Sequence, residues 1–416
     1  MKTEVLVVGA GPAGLAAAIE LRRLGAGGVL VVDRDDGAGD IPRHSAHTGF
    51  GARDLRRVLT GSAYARRYAD AAAAAGADIR LGTTMTGWEG PHRVTLTSAA
   101  GVEHTEAATV LLATGCRERP RPARLIPGDR PPGVMTTGEL QRRVCLGGQR
   151  LAGRALVVGA EHVSFSAMVT LSHAGAEVIA LVTGQPRHTS YAAFALAAAW
   201  RWHVPVWPST TVARVQGRNR LEGVELAGPG GIRFVPCDLL VFTGDWIPDH
   251  ELARAACLDM DPGTQGPAVD TALETSVPGV FAAGNLVHAA ETADVAALGG
   301  RHAARGIVRA LGRGPAPEHL PLPVTAEPPL LWIAPNGLRV AGQPGTCPPS
   351  PPPRNRFIVR SGVFRRLARI GVWQDGRRLA TSATYGMMPD RPVRLSAAWI
   401  GRADPRGGPI VVRLER

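Results

Sequence analysis

The sequence predicts an α/β fold class, and three observations carry that prediction. An apolar stretch over residues 4–8 runs into Gly9-Ala-Gly11-Pro12-Ala13-Gly14 and then into a helical pattern. The same strand, turn and helix pattern returns near Gly153, about 150 residues on, too long a period for a short structural repeat. After Pro315 the composition changes, with proline clusters followed by short alternating strands. Together these predict two Rossmann-like dinucleotide-binding folds and a small C-terminal β domain.

The elements follow in order. Residues 4–8 form the first strand, Gly9–Gly14 the turn, and a helix runs on to about Leu24. Gly25 stands where a helix C-cap ends that helix, and residues 29–33 form the second strand. Gly9 permits the tight turn, Gly11 lets the backbone approach a pyrophosphate, and Gly14 lets helix and strand pack closely. The helix N-terminus then offers N–H donors and a positive dipole end to phosphate. Asp33 lies 19 residues after Gly14, where a carboxylate accepts hydrogen bonds from a ribose diol, and Arg34 follows it. Strand, glycines, helix and acid in register make this a strong dinucleotide signal.

Two later segments fix the kind of dinucleotide. Residues 110–115 read as a strand ending in Ala113-Thr114-Gly115, and residues 275–285 run Thr-Ser-Val-Pro-Gly-Val-Phe-Ala-Ala-Gly284-Asn285. With these in place the chain, over residues 1 to about 315, resembles the pyridine nucleotide-disulfide oxidoreductase superfamily of two-domain flavoproteins. The resemblance implies FAD at the first site, with the Ala-Thr-Gly segment packed beside the first phosphate loop. Asn285 stands where the superfamily places an Asp on the ribityl and pyrophosphate, and an Asn can still accept from a hydroxyl. The resemblance further implies that the helix after Glu291 aims its N-terminus at the flavin, with Thr292 and Ala293 as backbone contacts.

The second phosphate loop departs from the pattern. Gly159 is kept, but Glu161 replaces the second glycine and Ser164 the third. A carboxylate there fills the pyrophosphate's space and repels it. Two unit charges near 4 Å cost on the order of 4 kcal/mol at an effective dielectric of 20, about a thousandfold in affinity. Arg187 and His188 offer positive charge to a 2′-phosphate, so the reading weighs a vestigial domain against a weak NAD(P)H site.

Cys116, Cys145, Cys237, Cys257 and Cys347 are scattered, which argues against a disulfide framework, a dithiol redox pair and a metal site. The expectation is reduced and mostly buried thiols. The loop after Asp33 carries Arg43, His44 and His47, with Arg43 a candidate phosphate contact and the histidines candidates for flavin N5 donation or proton transfer. This loop resembles one in flavoprotein subunits of glycerol-3-phosphate, opine and sarcosine oxidising enzymes. His288 is a further candidate on the same grounds.

From Leu331 onward 15 arginines face only Asp375, Asp390, Asp404 and Glu415, so this tail holds +11 of the chain's net +12. A basic tail can face nucleic acid, an anionic membrane or an acidic protein, but no nucleic-acid motif accompanies it and aromatics are only 5%, so the tail reads as a solvated arginine-rich surface or as a docking face for an acidic protein. No apolar run is long enough for a membrane helix, and the start reads as a strand rather than a signal peptide, so a cytoplasmic protein is expected.

The expected domains are FAD-binding over 1–128 with 244–315, NAD(P)-binding-like over 129–243, a proline-rich linker over 316–353, and a basic β-rich domain over 354–416. The fullest resemblance is to the flavoprotein subunits of hydrogen cyanide synthase, opine oxidase and sarcosine oxidase type enzymes. It implies an FAD-dependent, electron-transferring oxidoreductase acting on a small amine, amino-acid or hydroxy substrate through a second oxidoreductase subunit or a small iron–sulfur protein. A self-sufficient NAD(P)H-dependent flavin reductase and a scaffold subunit with structural FAD are the alternatives.

Overall fold

Short runs of valine and leucine buried on both faces suit the strands of a parallel sheet covered by helices. The computed structural model contains two such sheets and describes residues 1–192, 196, 200–312, 321–339 and 350–415. The chain divides into two units: Met1–Arg43, Thr48–Cys116 and Pro248–Arg416 make the first, His44–His47 and Arg117–Ile247 the second.

In the first unit, Lys2–Val8 pairs in parallel with Val29–Val32 on one side and Gly101–Leu112 on the other, with Val5 opposite Val29 and Thr109. Asp78–Arg80 and Val280–Ala282 extend the parallel sheet, and Arg93–Ser98 and Thr83–Gly90 add antiparallel strands. Val5, Leu6 and Val7 are wholly buried, so the register is fixed by the core. The helix Pro12–Arg23 is followed by Gly25 at φ +92°, which closes it as the sequence predicts. The long helix Ala293–Leu311 packs against this first helix, and Gly300 is the reason it can. A Cβ at Gly300 would lie 1.9 Å from the Ala13 carbonyl oxygen.

The second unit has a five-stranded parallel sheet in the order Val134–Thr136, Leu239–Phe242, Arg154–Val158, Glu177–Val182 and Val206–Trp207. The helix His162–Ala174 follows Arg154–Val158, and Thr211–Gln216, Gly223–Gly228 and Gly231–Pro236 form a separate antiparallel sheet.

The C-terminal strands form two sheets around a core of their own, in which Phe357 stacks on Trp399 at 5.1 Å. They belong to the first unit. Part of the expected linker is corrected here. Leu322–Ala326, Leu330–Ala334 and Gly337–Leu338 are strands of these sheets. Pro323 lies just before the three residues paired with Ile410–Val412, so its missing N–H interrupts no ladder on that side. Arg377–Met387 is a further strand the pattern did not reveal. Of the four described cysteines, only Cys237 is buried, with Cys116 and Cys145 half-buried and Cys257 exposed, which corrects the expectation of mostly buried thiols; all four are unbridged, and Cys347 lies outside the described residues.

Candidate functional site

The first phosphate loop is built by contacts that only glycine allows. A Cβ at Gly9 would lie 2.4 Å from the Ala113 carbonyl oxygen, and one at Gly14 would lie 1.8 Å from the Gly9 carbonyl oxygen. The strand end Ala113–Gly115 therefore packs directly on Gly9, and the helix starting at Pro12 packs directly on the turn. Asp33 accepts from the Ala10 N–H at 2.6 Å and the Asp35 N–H at 2.8 Å, so the acid at the second strand's end is held against the loop. The Thr114 hydroxyl donates to the Asp249 carbonyl at 2.7 Å, and the Asp249 N–H donates to the Gly115 carbonyl at 2.9 Å. Bare backbone at Gly11, a helix N-terminus and a tethered acid are what an FAD pyrophosphate and ribose require, and Gly9, Gly11, Pro12, Ala13, Gly14, Asp33, Ala113, Thr114 and Gly115 fit that group.

One residue in this cradle is not singled out by the sequence. Asp40, at φ +48°, brings its Cβ and Oδ2 to 3.3 Å from where a Gly11 Cβ would stand. Gly39 puts it there: its N–H bonds to the Ala10 carbonyl at 2.8 Å, and a Cβ on Gly39 would meet Ala65 Cβ at 2.4 Å. Burial, then Asp33 and Asp35, push the Asp40 carboxyl up to about 7, against the pull of Arg34. Motif spacing cannot find it, because it is one of four aspartates within eight residues.

The flanking arginines have acidic partners. Arg34 pairs with Asp249 at 3.1 Å and Arg43 with Asp36 at 2.8 Å. A Cβ on Gly37 would lie 2.3 Å from Arg43 Cζ, so this side chain laces its own loop. His44 is buried and His47 half-buried, and both group with the second unit, whereas the phosphate loop belongs to the first.

Gly284 follows the strand Val280–Ala282 at φ +73°, and its Cβ would lie 2.8 Å from Ala13 Cβ. Asn285 turns its amide to the backbone of Glu291: Oδ1 accepts from the Glu291 N–H at 2.9 Å, and Nδ2 donates to the Glu291 carbonyl at 3.2 Å. The expected ribityl contact therefore competes with a loop clamp. Thr292 is the N-cap residue of the long helix, Ala293 accepts from the Tyr64 hydroxyl at 3.3 Å, and Arg53 pairs with Asp294 in the first turn at 3.1 Å. His288 is held neutral by burial and by Arg360, which pull it down to about 3.

In the second unit, Glu161 caps the helix His162–Ala174. Its carboxylate and Ser164 form a reciprocal capping box, with the Glu161 N–H donating to Ser164 Oγ at 3.3 Å. Ser164 Oγ also bonds Glu161 Oε2 and lies 2.6 Å from Thr243 Oγ1. A Cβ on Gly159 would meet Thr243 Oγ1 at 1.9 Å, so the turn is as tight as in a working phosphate loop. A carboxylate already sits where a helix N-terminus would receive phosphate.

Fold and cradle together define an oxidoreductase built on two dinucleotide-binding folds. The family described as pyridine nucleotide-disulphide oxidoreductase matches residues 3–300, and the chain belongs to it. Its members bind FAD, with NAD(P) involved. The chain is similar to hydrogen cyanide synthase subunit HcnB of Pseudomonas aeruginosa, 34% identical over 159 residues, which cover 38% of this chain and 34% of that protein. It is also similar to an opine oxidase subunit of Agrobacterium tumefaciens, 27% identical over 317 residues, covering 68% and 61%. The chain thus spans less than two thirds of either relative. Among solved structures, thioredoxin reductase of T. acidophilum shares the fold with a TM-score of 0.61 and 20% identity, covering 74% of this chain and 98% of that one. Among the described residues no helix is long and apolar enough to cross a membrane.

Proposed function

We propose that this chain is an electron-transferring flavoprotein subunit, holding FAD at Gly9–Gly14 and exchanging electrons with a second oxidoreductase subunit that acts on a small amine, amino-acid or hydroxy substrate. The observation that carries the reading is the contrast between the two phosphate loops. At the first, the nearest carboxylate is Asp40, on a neighbouring segment; at the second it is Glu161, on the helix itself and locked in its capping box. A chain that holds flavin but binds a pyridine nucleotide only weakly takes its electrons chiefly from another donor. The four described cysteines are unbridged and dispersed in sequence. HcnB and the opine oxidase relative are each one subunit of a larger enzyme, which supports a partner.

FAD, when bound, supplies acceptance of an electron pair and its release one or two electrons at a time. The chain's own residues do the positioning. The Gly9–Gly14 loop and helix end bind the pyrophosphate, Asp33 orients the ribose, and Thr114 and Asp249 hold the strand end against the loop.

The test is anaerobic reduction of the purified yellow protein by NADH and NADPH. Slow reduction with apparent affinity no better than about millimolar is expected, given the repulsion at Glu161. Glu161→Gly should improve it by at least about tenfold while lowering apoprotein stability by about 1 kcal/mol through loss of the cap. Rapid reduction of the unaltered protein by micromolar NADPH would instead establish a self-sufficient reductase, with Arg187 the first residue to test for the 2′-phosphate.

A further inference from the structure

The five-stranded C-terminal sheet runs in the order Gly337–Leu338, Leu322–Ala326, Ile410–Glu415, Arg365–Gln374 and Arg377–Met387. One margin is a strand of two residues, too short to recruit another chain. The other, Arg377–Met387, is eleven residues long, about twice the usual strand. Among the described residues its backbone ladder is with Arg365–Gln374, in antiparallel register with Ile370 opposite Ser382. The Arg402 guanidinium donates to the Leu379 carbonyl at 3.0 Å, which leaves Ala380–Met387 as the open stretch.

Proteins commonly protect such a margin with charge, proline or a bulge. From Leu379 to Met387 there is no charged residue and no proline, and the ladder's irregularity, between Val372 and Trp373, lies at the turn end. The core-facing row is also unfinished. Ala368, Ile370 and Val372 are buried, whereas Thr384, Ser382 and Ala380, directly opposite them, are only half-buried. On the outer face Tyr385 is 72% exposed, and Leu367 opposite it is 68% exposed. A strand laid along this margin covers both rows and takes up the unpaired backbone groups. Charge then narrows the occupant. The two strands hold five arginines and no acid. Exposed arginine pairs stand at both ends, Arg377 and Arg378 by the turn, Arg365 and Arg366 beside Met387.

A second copy of this chain does not suit the margin, because it would bring two tails of net +11 together. A free anion would meet the arginines and leave the backbone row unpaired. An extended segment with acidic ends answers both. We propose that Arg377–Met387 takes up, as an added strand, an extended segment of a partner protein with an uncharged, β-prone middle and acidic residues at both ends. From Arg378 to Met387 the margin spans about 30 Å, so about nine residues fill it. Backbone bonds supply affinity, Tyr385 and Leu367 add an apolar contact, and the arginine pairs fix the register by forking onto carboxylates. The inference deepens the reading of this chain as one subunit of a larger enzyme and rests on that reading for its partner, though not on the flavin site.

The probe is a blocked, fluorescein-labelled peptide, Glu-Glu-Thr-Val-Thr-Val-Thr-Val-Glu-Glu, titrated by fluorescence anisotropy with the full chain. Saturable binding is expected, weaker by at least about tenfold when the glutamates become lysines or the middle residues are N-methylated. Arg365→Glu with Arg377→Glu, one exposed arginine from each end, should weaken it by about tenfold. Hydrogen exchange on the unaltered chain gives a second readout: amides within 380–387 should slow when the peptide binds, and those of Val29–Val32 should not. No saturable binding, equal binding of the lysine-ended or N-methylated peptide, binding that survives both reversals, or no slowing within 380–387 would each overturn the proposal. A dimer by sedimentation that Thr381→Pro dissociates would give the margin to a second copy instead. Anaerobic reduction of the same samples keeps the two readings apart. Rapid reduction by micromolar NADPH in a chain that binds the peptide removes the partner-dependent electron route alone, and slow reduction without peptide binding removes this site alone.

Discussion

Replacing Asp40 by asparagine should flatten the pH dependence of FAD binding. The wild-type carboxylate stands 3.3 Å from the Gly11 Cβ position, and burial with Asp33 and Asp35 holds its pKa up at about 7. A pyrophosphate adds negative charge at the same loop. Two unit charges 5–6 Å apart repel by on the order of 3 kcal/mol at an effective dielectric of 20, about a hundredfold in affinity. The proton on Asp40 therefore favours FAD, and binding takes one up. Affinity should be highest below about pH 7 and fall above it by up to about tenfold per pH unit, levelling near a hundredfold loss. Asparagine tolerates positive φ as aspartate does, so the substitution isolates the charge. The assay is titration of apoprotein with FAD, followed by flavin fluorescence, across roughly pH 6 to 9. Equal pH slopes in wild type and Asp40→Asn would refute the argument. The same shift has a stability arm of defined sign. A carboxyl raised above its unfolded value of 3.8 binds its proton more tightly when folded. Apoprotein stability then falls as pH rises from about 4 to about 7, by up to about 4 kcal/mol, less as water reaches the side chain. Asp40→Asn should lose that slope in thermal melts.

Two other outcomes are expected. Asn285→Asp keeps the oxygen that accepts from the Glu291 N–H and should retain flavin, while Asn285→Leu removes both contacts to Glu291, at about 1–3 kcal/mol, and should lose it; equal flavin content in the two variants counts against the clamp. In the strand Arg365–Gln374, Arg365 and Arg366 are exposed and so is Leu367, which pairs with the equally exposed Tyr385. Reversing both arginines to Glu should slow association with an acidic partner subunit, and raising salt from about 0.1 M to about 1 M should weaken it, as the Debye length shrinks from about 10 Å to about 3 Å. Association measured by surface plasmon resonance that ignores both changes would remove the tail from the interface.

Much of this was legible because close packing leaves a residue signature. Gly9 and Gly14 mark points where backbone meets backbone, and the helix expected after Glu291 is Ala293–Leu311. The strand Arg377–Met387 was not legible, since its Thr, Ser and Ala residues are mostly exposed or half-buried and it is held by pairing with Arg365–Gln374. The Asp375-Gly376 turn before it was the signal available. Strands among the prolines of 321–338 were hidden because proline is read as a breaker, yet it is harmless where no ladder bond is due. Asp40 was out of reach for another reason: its role depends on which side chains converge from segments distant in sequence.

The two phosphate loops share one more feature, and it separates their fates. Each has a carboxylate at the place where phosphate would act. At the first loop the acid is Asp40, on a neighbouring segment, at a left-handed φ and with a pKa near neutrality, so a proton neutralises it. At the second it is Glu161, on the helix itself, bonded to Ser164 and through it to Thr243. Displacing Glu161 means breaking a capping box worth about 1 kcal/mol and replacing its charge with another against the same helix end, with no gain in hydrogen bonds. A nucleotide can therefore compete with Asp40 but has little to offer Glu161. The asymmetry lies in how each acid is anchored rather than in how many glycines each loop keeps.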